Sequence, residues 1–435
     1  MITRIEAYRY RCFERLNVQT GNNQVLVGQN GAGKSTLIDI PVFIGEALQS
    51  QSVHDAFFKG TRSHIRPRAD APQDLIFHGR GDWFALALEA KLPQSLADDL
   101  LRKAFDTLPK REEQRLQKNP ARRPGHLRYE IGFKIVSGAL EIAHEHLFLL
   151  PEDTSLIEDR IESLWGDTVP LDESLVRTVI ARSSDGVVRI RPEITSRMMP
   201  ISANMVTTTP ALAGIPLDTA SFAACMWFRD LLTKELLPVA PDLPKLRNAQ
   251  LPPGRDYTVA ADCSTLPWSV MELAKDRERF EEWLFHVQSA LPLVENIEAR
   301  TREDDGLAYL IVTYASGLSV KSSGLSDGTL SILALSILPF LNNVPAVVTV
   351  EEPENGIHPK AIETVLESLS KMPKSQVFVT THSPIVVAVT PPEWLLCLKQ
   401  TKTAGVEVMP GSKHPQLVEW QGKPSLATLF SAGIL

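Results

Sequence analysis

The chain is short of cysteine. Only Cys12, Cys225, Cys263 and Cys397 occur in 435 residues, and no two of them form a CxxC pair. A disulfide framework, a zinc ribbon and a zinc hook therefore have no support. Four reduced thiols in a cytoplasmic protein are expected. Long hydrophobic runs are also missing. The longest, "ILALSILPFL" at 332–341, is too short to cross a bilayer and contains Pro339, so it reads as a buried helix and no membrane role is expected. The opening "MITRIEAYRYRCFERL" is too polar for a signal peptide. Nor is there an excess of positive charge. The net charge of -7 argues against a globally basic nucleic-acid binder and leaves room only for a local patch. No internal repeat and no sustained heptad run is present.

What is present is strand–helix alternation at both ends of the chain. Alternating residues predict a strand near 2–10, with a partner beginning at 16–18. "NQVLVG" (23–28) is a short apolar strand that runs into a glycine-rich turn and then helical spacing, in which Pro41 is expected to kink or stop the helix. Towards the other end come a strand at 306–317, a Ser/Asp-led helix start, the strand "VVTV", a helix near 359–371 and the strand "QVFVTTHS" (376–383). The middle differs. It holds a strand near 83–92, a helical stretch turning to loop over 94–125, paired strands over 127–136 and 145–150, helices over 218–236 and 268–291, and a proline-rich 238–254. One nucleotide-binding α/β domain split by an insertion accounts for this order.

The chemistry begins at "GQNGAGKS", Gly28 to Ser35, a full G-x-x-x-x-G-K-[ST] between a strand and a helix. Glycines there let successive backbone N–H groups point inward around phosphate oxygens, and the helix adds its positive end. Lys34 is the residue to reach the β- and γ-phosphates, and Ser35 the oxygen donor to Mg²⁺. The strand "AVVTV" ends abruptly in Glu351, Glu352 and Glu354. Glu351 stands where a metal-side acid belongs and Glu352 where a general base belongs; Glu354 reads as well as a loop residue. In "TTHSP" (380–384), His382 at a strand tip can face a γ-phosphate or lytic water, although alone it is an ordinary turn histidine. In "SSGLSDGTL" (322–330), Ser326, Gly328 and the helix start form a second anion-binding surface or simply a capped helix.

In chain order, these segments resemble the ABC-type ATPase family shared by the SMC, RecF and OLD-like (overcoming-lysogenisation-defect) proteins. "GQNGAGKS" is similar to Walker A, "LSDGT" to the signature, "VTVEEPE" to Walker B, "NGIHP" to the D-loop and "THS" to the switch histidine. The likeness covers about 1–50 and 300–390 and is nearest to the OLD-like group. It implies an α/β P-loop NTPase of ABC/SMC type, a mixed sheet with helices interrupted by a mostly helical insertion. The ATPase lobe spans 1–50 and 296–435. A strand extension and largely helical insertion over 51–295 serves dimerisation or partner docking. The family pattern implies ATP contacts from Gly28, Asn30, Gly31, Gly33, Lys34, Ser35 and Thr36, and from Ser326, Asp327 and Gly328 of a second copy. It implies Mg²⁺ held through Ser35 and Glu351, and hydrolysis by Glu352 with His382. Gln49 and Gln51 are candidates for the Q-loop glutamine. Glu351 stands where the family commonly has Asp; a longer acid still reaches Mg²⁺ through water, so ATPase activity is expected.

The expected assembly is at least a head-to-head homodimer sandwiching ATP. No TOPRIM nuclease domain is expected, since only about fifty residues follow His382. The likeness therefore implies an ATPase subunit of an anti-phage defence system acting on a separate effector protein. The alternatives are a RecF/SMC-like DNA-repair ATPase that binds DNA directly and a slow-turnover, ATP-dependent assembly scaffold. The stretch 109–128, with Lys110, Arg111, Arg115, Lys118, Arg122, Arg123 and Arg128, fits either a nucleic-acid or acidic-protein contact or a solvated helix end; "TRSHIRPR" (61–68) invites the same two readings.

Overall fold

The computed structural model of the chain describes residues 1–59, 67–107, 110–157, 175–182, 187–194, 199–200, 206–253, 259–401, 405–418 and 425–431. They fall into two compact units. One comprises 1–21, 36–235 and 401–407, the other 22–35, 236–400 and 408–435.

The first unit is built on an eight-stranded sheet. Its strands are β1 (Ile2–Tyr10), β2 (Phe13–Gln19), β4 (Trp83–Lys91), β5 (Pro124–Val136), β6 (Ala139–Pro151), β7 (Arg177–Arg182), β8 (Val188–Ile190) and β9 (Met199–Pro200), in the order β2-β1-β4-β5-β6-β7-β8-β9. Neighbours pair antiparallel throughout. The long β5–β6 hairpin turns on Ser137 and Gly138, whose φ values of 51° and 81° are those a tight two-residue hairpin needs at both positions.

One face of this sheet carries a buried ion network. The Arg128 side chain is 0% exposed and reaches Glu6 (2.8 Å), Glu89 (2.7 Å) and Glu130 (2.6 Å). Arg128 is therefore no part of a surface basic patch, contrary to the sequence reading of 109–128. A strand position inside the sheet needs its charge matched there by three carboxylates. The side chains of Arg111 and Arg115, and residues 61–66 of the second basic stretch, lie outside the described residues.

The second unit holds a six-stranded sheet of β3 (Asn23–Gly28), β10 (Leu236–Val239), β14 (Val347–Glu351), β15 (Gln376–Thr381), β16 (Leu395–Gln400) and β17 (Val406–Pro410), in the order β10-β14-β15-β3-β16-β17. From β10 to β16 the pairing is parallel. Strands buried on both faces explain the continuous apolar runs "VLV", "VVTV" and "VFV". A separate three-stranded antiparallel sheet joins β11 (Val294–Thr301), β12 (Ala308–Tyr314) and β13 (Ser319–Lys321). The apolar run after 326 forms the helix Asp327–Ser336, buried from Thr329 onward and ended ahead of Pro339.

Among its described residues the segment 51–295 carries strands β4 to β9 between 83 and 200, and helices at Gln94–Thr107 and Lys110–Lys118 between β4 and β5 and at Ala223–Thr233, Leu266–Leu273 and Arg277–Ala290 further on. Of the two outcomes expected at Pro41, the stop does not occur: the helix runs from Lys34 to Gln49 with Pro41 inside. Burial of Leu37, Ile38, Ile40, Val42, Phe43 and Ile44 offsets the one lost backbone hydrogen bond.

Candidate functional site

The site sits in the second unit, at the carboxyl ends of three adjacent parallel strands, β14, β15 and β3. An open parallel sheet gathers its loops at that end. After β3 the chain turns through Gly28, Gly31 and Gly33, with φ of 156°, 77° and 82°. A Cβ on Gly28 would meet Leu398 O at 2.4 Å, so the neighbouring strand itself forbids a side chain there.

Lys34, 5% exposed, curls back over this loop. Its Nζ donates to Gly28 O at 3.0 Å and Gln29 O at 3.2 Å and lies 3.4 Å from His382 Nδ1. Burial pulls the ammonium below its ordinary range, while the charges of Glu352, Glu351 and Glu354 pull it back up.

The strand-end acids do different things. Glu351 Oε2 accepts from Ser35 Oγ at 2.5 Å. Glu352 follows the strand with φ of 45°, in the left-handed region that costs a non-glycine residue roughly 1–3 kcal/mol. Its N–H still bonds Thr380 O at 2.9 Å. Its carboxylate meets His382 Nε2 at 3.3 Å and accepts from Asn355 Nδ2 at 2.8 Å. Lysine has donors only, so His382 accepts from it at Nδ1 and carries its proton on Nε2, facing Glu352.

Glu354, which the sequence left between a site role and a loop role, bridges to the His382 segment. Its Oε1 accepts from Thr381 Oγ1 at 2.6 Å and from the His382 N–H at 3.1 Å, and its Oε2 is buried without a protein hydrogen-bond partner. No spacing rule points to it; only the closeness of β14 and β15 does.

The remaining sequence candidates sit differently. Asn30 is exposed on the loop beyond β3. Thr36 bonds the thiol of Cys12. Gln49 gives its amide to Thr233 O at 2.7 Å, and the backbone carbonyl of Gln51 accepts from Thr209 Oγ1. Ser326 caps the helix Asp327–Ser336, accepting from Thr329 N at 3.1 Å. Asp327 pairs with Arg247 at 2.5 Å. At Gly328 a Cβ would stand 2.6 Å from Gly356 O. These contacts link the signature segment to Arg247 and the D-loop rather than to Lys34.

The oxygen pair Ser35–Glu351 suits a hard cation such as Mg²⁺, which takes one or two protein oxygens and fills its shell with phosphate oxygens and water. Among the described residues no group of three or more His, Cys, Asp or Glu is arranged as a metal cage. No helix among them is long and apolar enough to cross a membrane.

Residues 226–388, under half of the chain, match the family model described as "AAA domain, putative AbiEii toxin, Type IV TA system". No curated protein matches the chain. Solved structures of similar shape include an Smc head bound to the C-winged helix domain of ScpA (11% identity, 94% of this chain and 96% of that one, TM-score 0.46). They also include an Smc head with an extended coiled coil bound to the C-terminal domain of ScpA, from Pyrococcus furiosus (13% identity, 96% and 98%, TM-score 0.46). A third is the SMC head domain from Thermotoga maritima (12% identity, 94% and 98%, TM-score 0.40). The fold is that of an α/β P-loop NTPase.

Proposed function

We propose that this chain binds ATP with Mg²⁺ at the cluster of Lys34, Ser35, Glu351, Glu352 and His382 and hydrolyses it to ADP and phosphate. The observation that carries the reading is that Lys34, His382 and Glu352 lie in one chain of side-chain contacts, while Ser35, next to Lys34 in the loop, pairs with Glu351. Gly28, Asn30, Gly31 and Gly33 present the loop's backbone to the phosphates, and Lys34 turns its ammonium from Gly28 O and Gln29 O to their oxygens. Ser35 and Glu351 are the residues to hold Mg²⁺, which when bound neutralises charge on the phosphate oxygens. Glu352 takes the proton of the attacking water, and His382, fixed between Lys34 and Glu352, orients it. Thr36 is carried along with this set from the motif alone.

Ser326, Asp327 and Gly328 complete the pocket of a second copy, so that ATP holds two chains together and hydrolysis releases them. The wider role follows the OLD-like resemblance: a cytoplasmic ATPase subunit of an anti-phage defence system that governs a separate effector. The matched family's description, which includes a toxin of a type IV toxin–antitoxin system, is consistent with that setting. Direct DNA clamping is the weaker reading, since Arg128 of the basic stretch is buried and paired.

Phosphate release by the purified chain tests the enzymatic part. Glu352→Gln is expected to keep ATP binding and lose about 10²–10⁴-fold in turnover, the usual contribution of a general base. Lys34→Ala is expected to lose both. Unchanged turnover in Glu352→Gln would leave an assembly scaffold as the better account.

A further inference from the structure

Asp327 stands in the signature segment of this chain, and a carboxylate there would oppose a neighbouring triphosphate. Arg247, at the end of the short helix Leu243–Arg247, answers that charge. Its Nη2 donates to Asp327 Oδ1 at 2.5 Å, its Nη1 donates to the carbonyl of Leu325, and its own carbonyl accepts from Ser322 Oγ at 3.4 Å. One guanidinium therefore grips the signature on both sides of Ser326, at backbone and at side chain, in the forked geometry that arginine alone offers. One residue further on, Gly328 packs against Gly356 O too closely for any Cβ. Asp327 is 57% exposed at its side chain and Arg247 33%, so the pair lies at the protein surface.

We infer that Arg247 is a positioning residue for the signature segment. It neutralises Asp327 and fixes the backbone on either side of Ser326, so that Ser326 and the helix N-terminus accept the nucleotide of a second copy. This rests on the reading of the signature given under Proposed function. It adds a residue some eighty positions away in sequence that carries no motif of its own.

The test uses the full chain with Glu352→Gln to hold ATP, measuring ATP-dependent dimerisation by analytical ultracentrifugation and monomer ATP binding with a fluorescent analogue. Arg247→Ala is expected to leave monomer binding and thermal melting near the parent while weakening the ATP-dependent dimer by about tenfold, as for loss of one charge-assisted pair. Asp327→Asn added to Arg247→Ala should restore most of that loss, because the carboxylate that Arg247 masks is gone. A purely structural role would leave the double variant as poor as the single one. Arg247→Lys, which keeps charge without the fork, should fall between, and it covers the case in which the alanine variant fails to fold. A parent that dimerises with ATP and an Arg247→Ala that does so equally, or a double variant with no recovery, overturns this inference alone. A parent that does not dimerise with ATP overturns the reading of the signature and the inference with it.

Discussion

Glu354 holds His382 by its backbone: Oε1 accepts the His382 N–H at 3.1 Å and the Thr381 hydroxyl beside it at 2.6 Å. The ring is thereby placed between Lys34 and Glu352, so the third acid of the strand end acts on the site through the histidine rather than directly. Replacing Glu354 with Ala should lower kcat about tenfold or more with little change in KM for ATP, because a misplaced orienting group affects the chemical step more than ground-state binding. Steady-state kinetics decide this; a change confined to KM would place Glu354 in nucleotide binding instead.

Glu351 touches Ser35 rather than Glu352, which separates the metal side from the water side. Glu351→Gln should raise the Mg²⁺ concentration needed for half-maximal turnover by roughly 10–100-fold, the usual effect of losing a supporting ligand, and EDTA should abolish turnover of the parent. A Mg²⁺ titration of both proteins is the check, and coincident curves would remove Glu351 from the metal site.

Gly28 is pinned by the strand beside it, with Leu398 O at 2.4 Å from any added Cβ. Gly28→Ala forces β3 and β16 apart where they pair. A cost of about 1–3 kcal/mol in stability is expected from overpacking, together with weaker nucleotide binding. Urea unfolding and a binding titration would register both, and a fully stable, ATP-competent variant would contradict the packing seen here.

The ion network of the first unit gives a pH dependence. Burial pushes the Glu130 carboxyl up to about 7 from its ordinary 4.5, opposed by Arg128 and reinforced by Glu6 and Glu89. Between those two values the folded protein binds more protons at Glu130 than the unfolded chain does. Stability contributed by this group therefore falls as pH rises from about 4.5 to about 7, and the loss is complete above that. Glu130→Gln should flatten unfolding free energy across this window, as read by urea denaturation at a series of pH values. An equally steep variant would assign the slope to another group.

The sequence alone determined the parts whose signals are local. Gly28 to Ser35 specify strand, anion-binding turn and helix within a few residues, because glycine φ freedom and the helix start act at short range. The apolar strands β14 and β15 and the Ser326 cap were legible for the same reason. Only the tertiary structure decided what those parts do to one another. Lys34 meets His382 across 348 positions and Ser35 meets Glu351 across 316, because parallel pairing sets β3, β15 and β14 side by side and brings their loops to one end. Glu354 as the clamp on His382, Arg247 on Asp327, and Arg128 inside a sheet rather than on a basic surface all depend on such long-range pairing. No periodicity or spacing encodes which distant strand or helix will supply a side chain's partner.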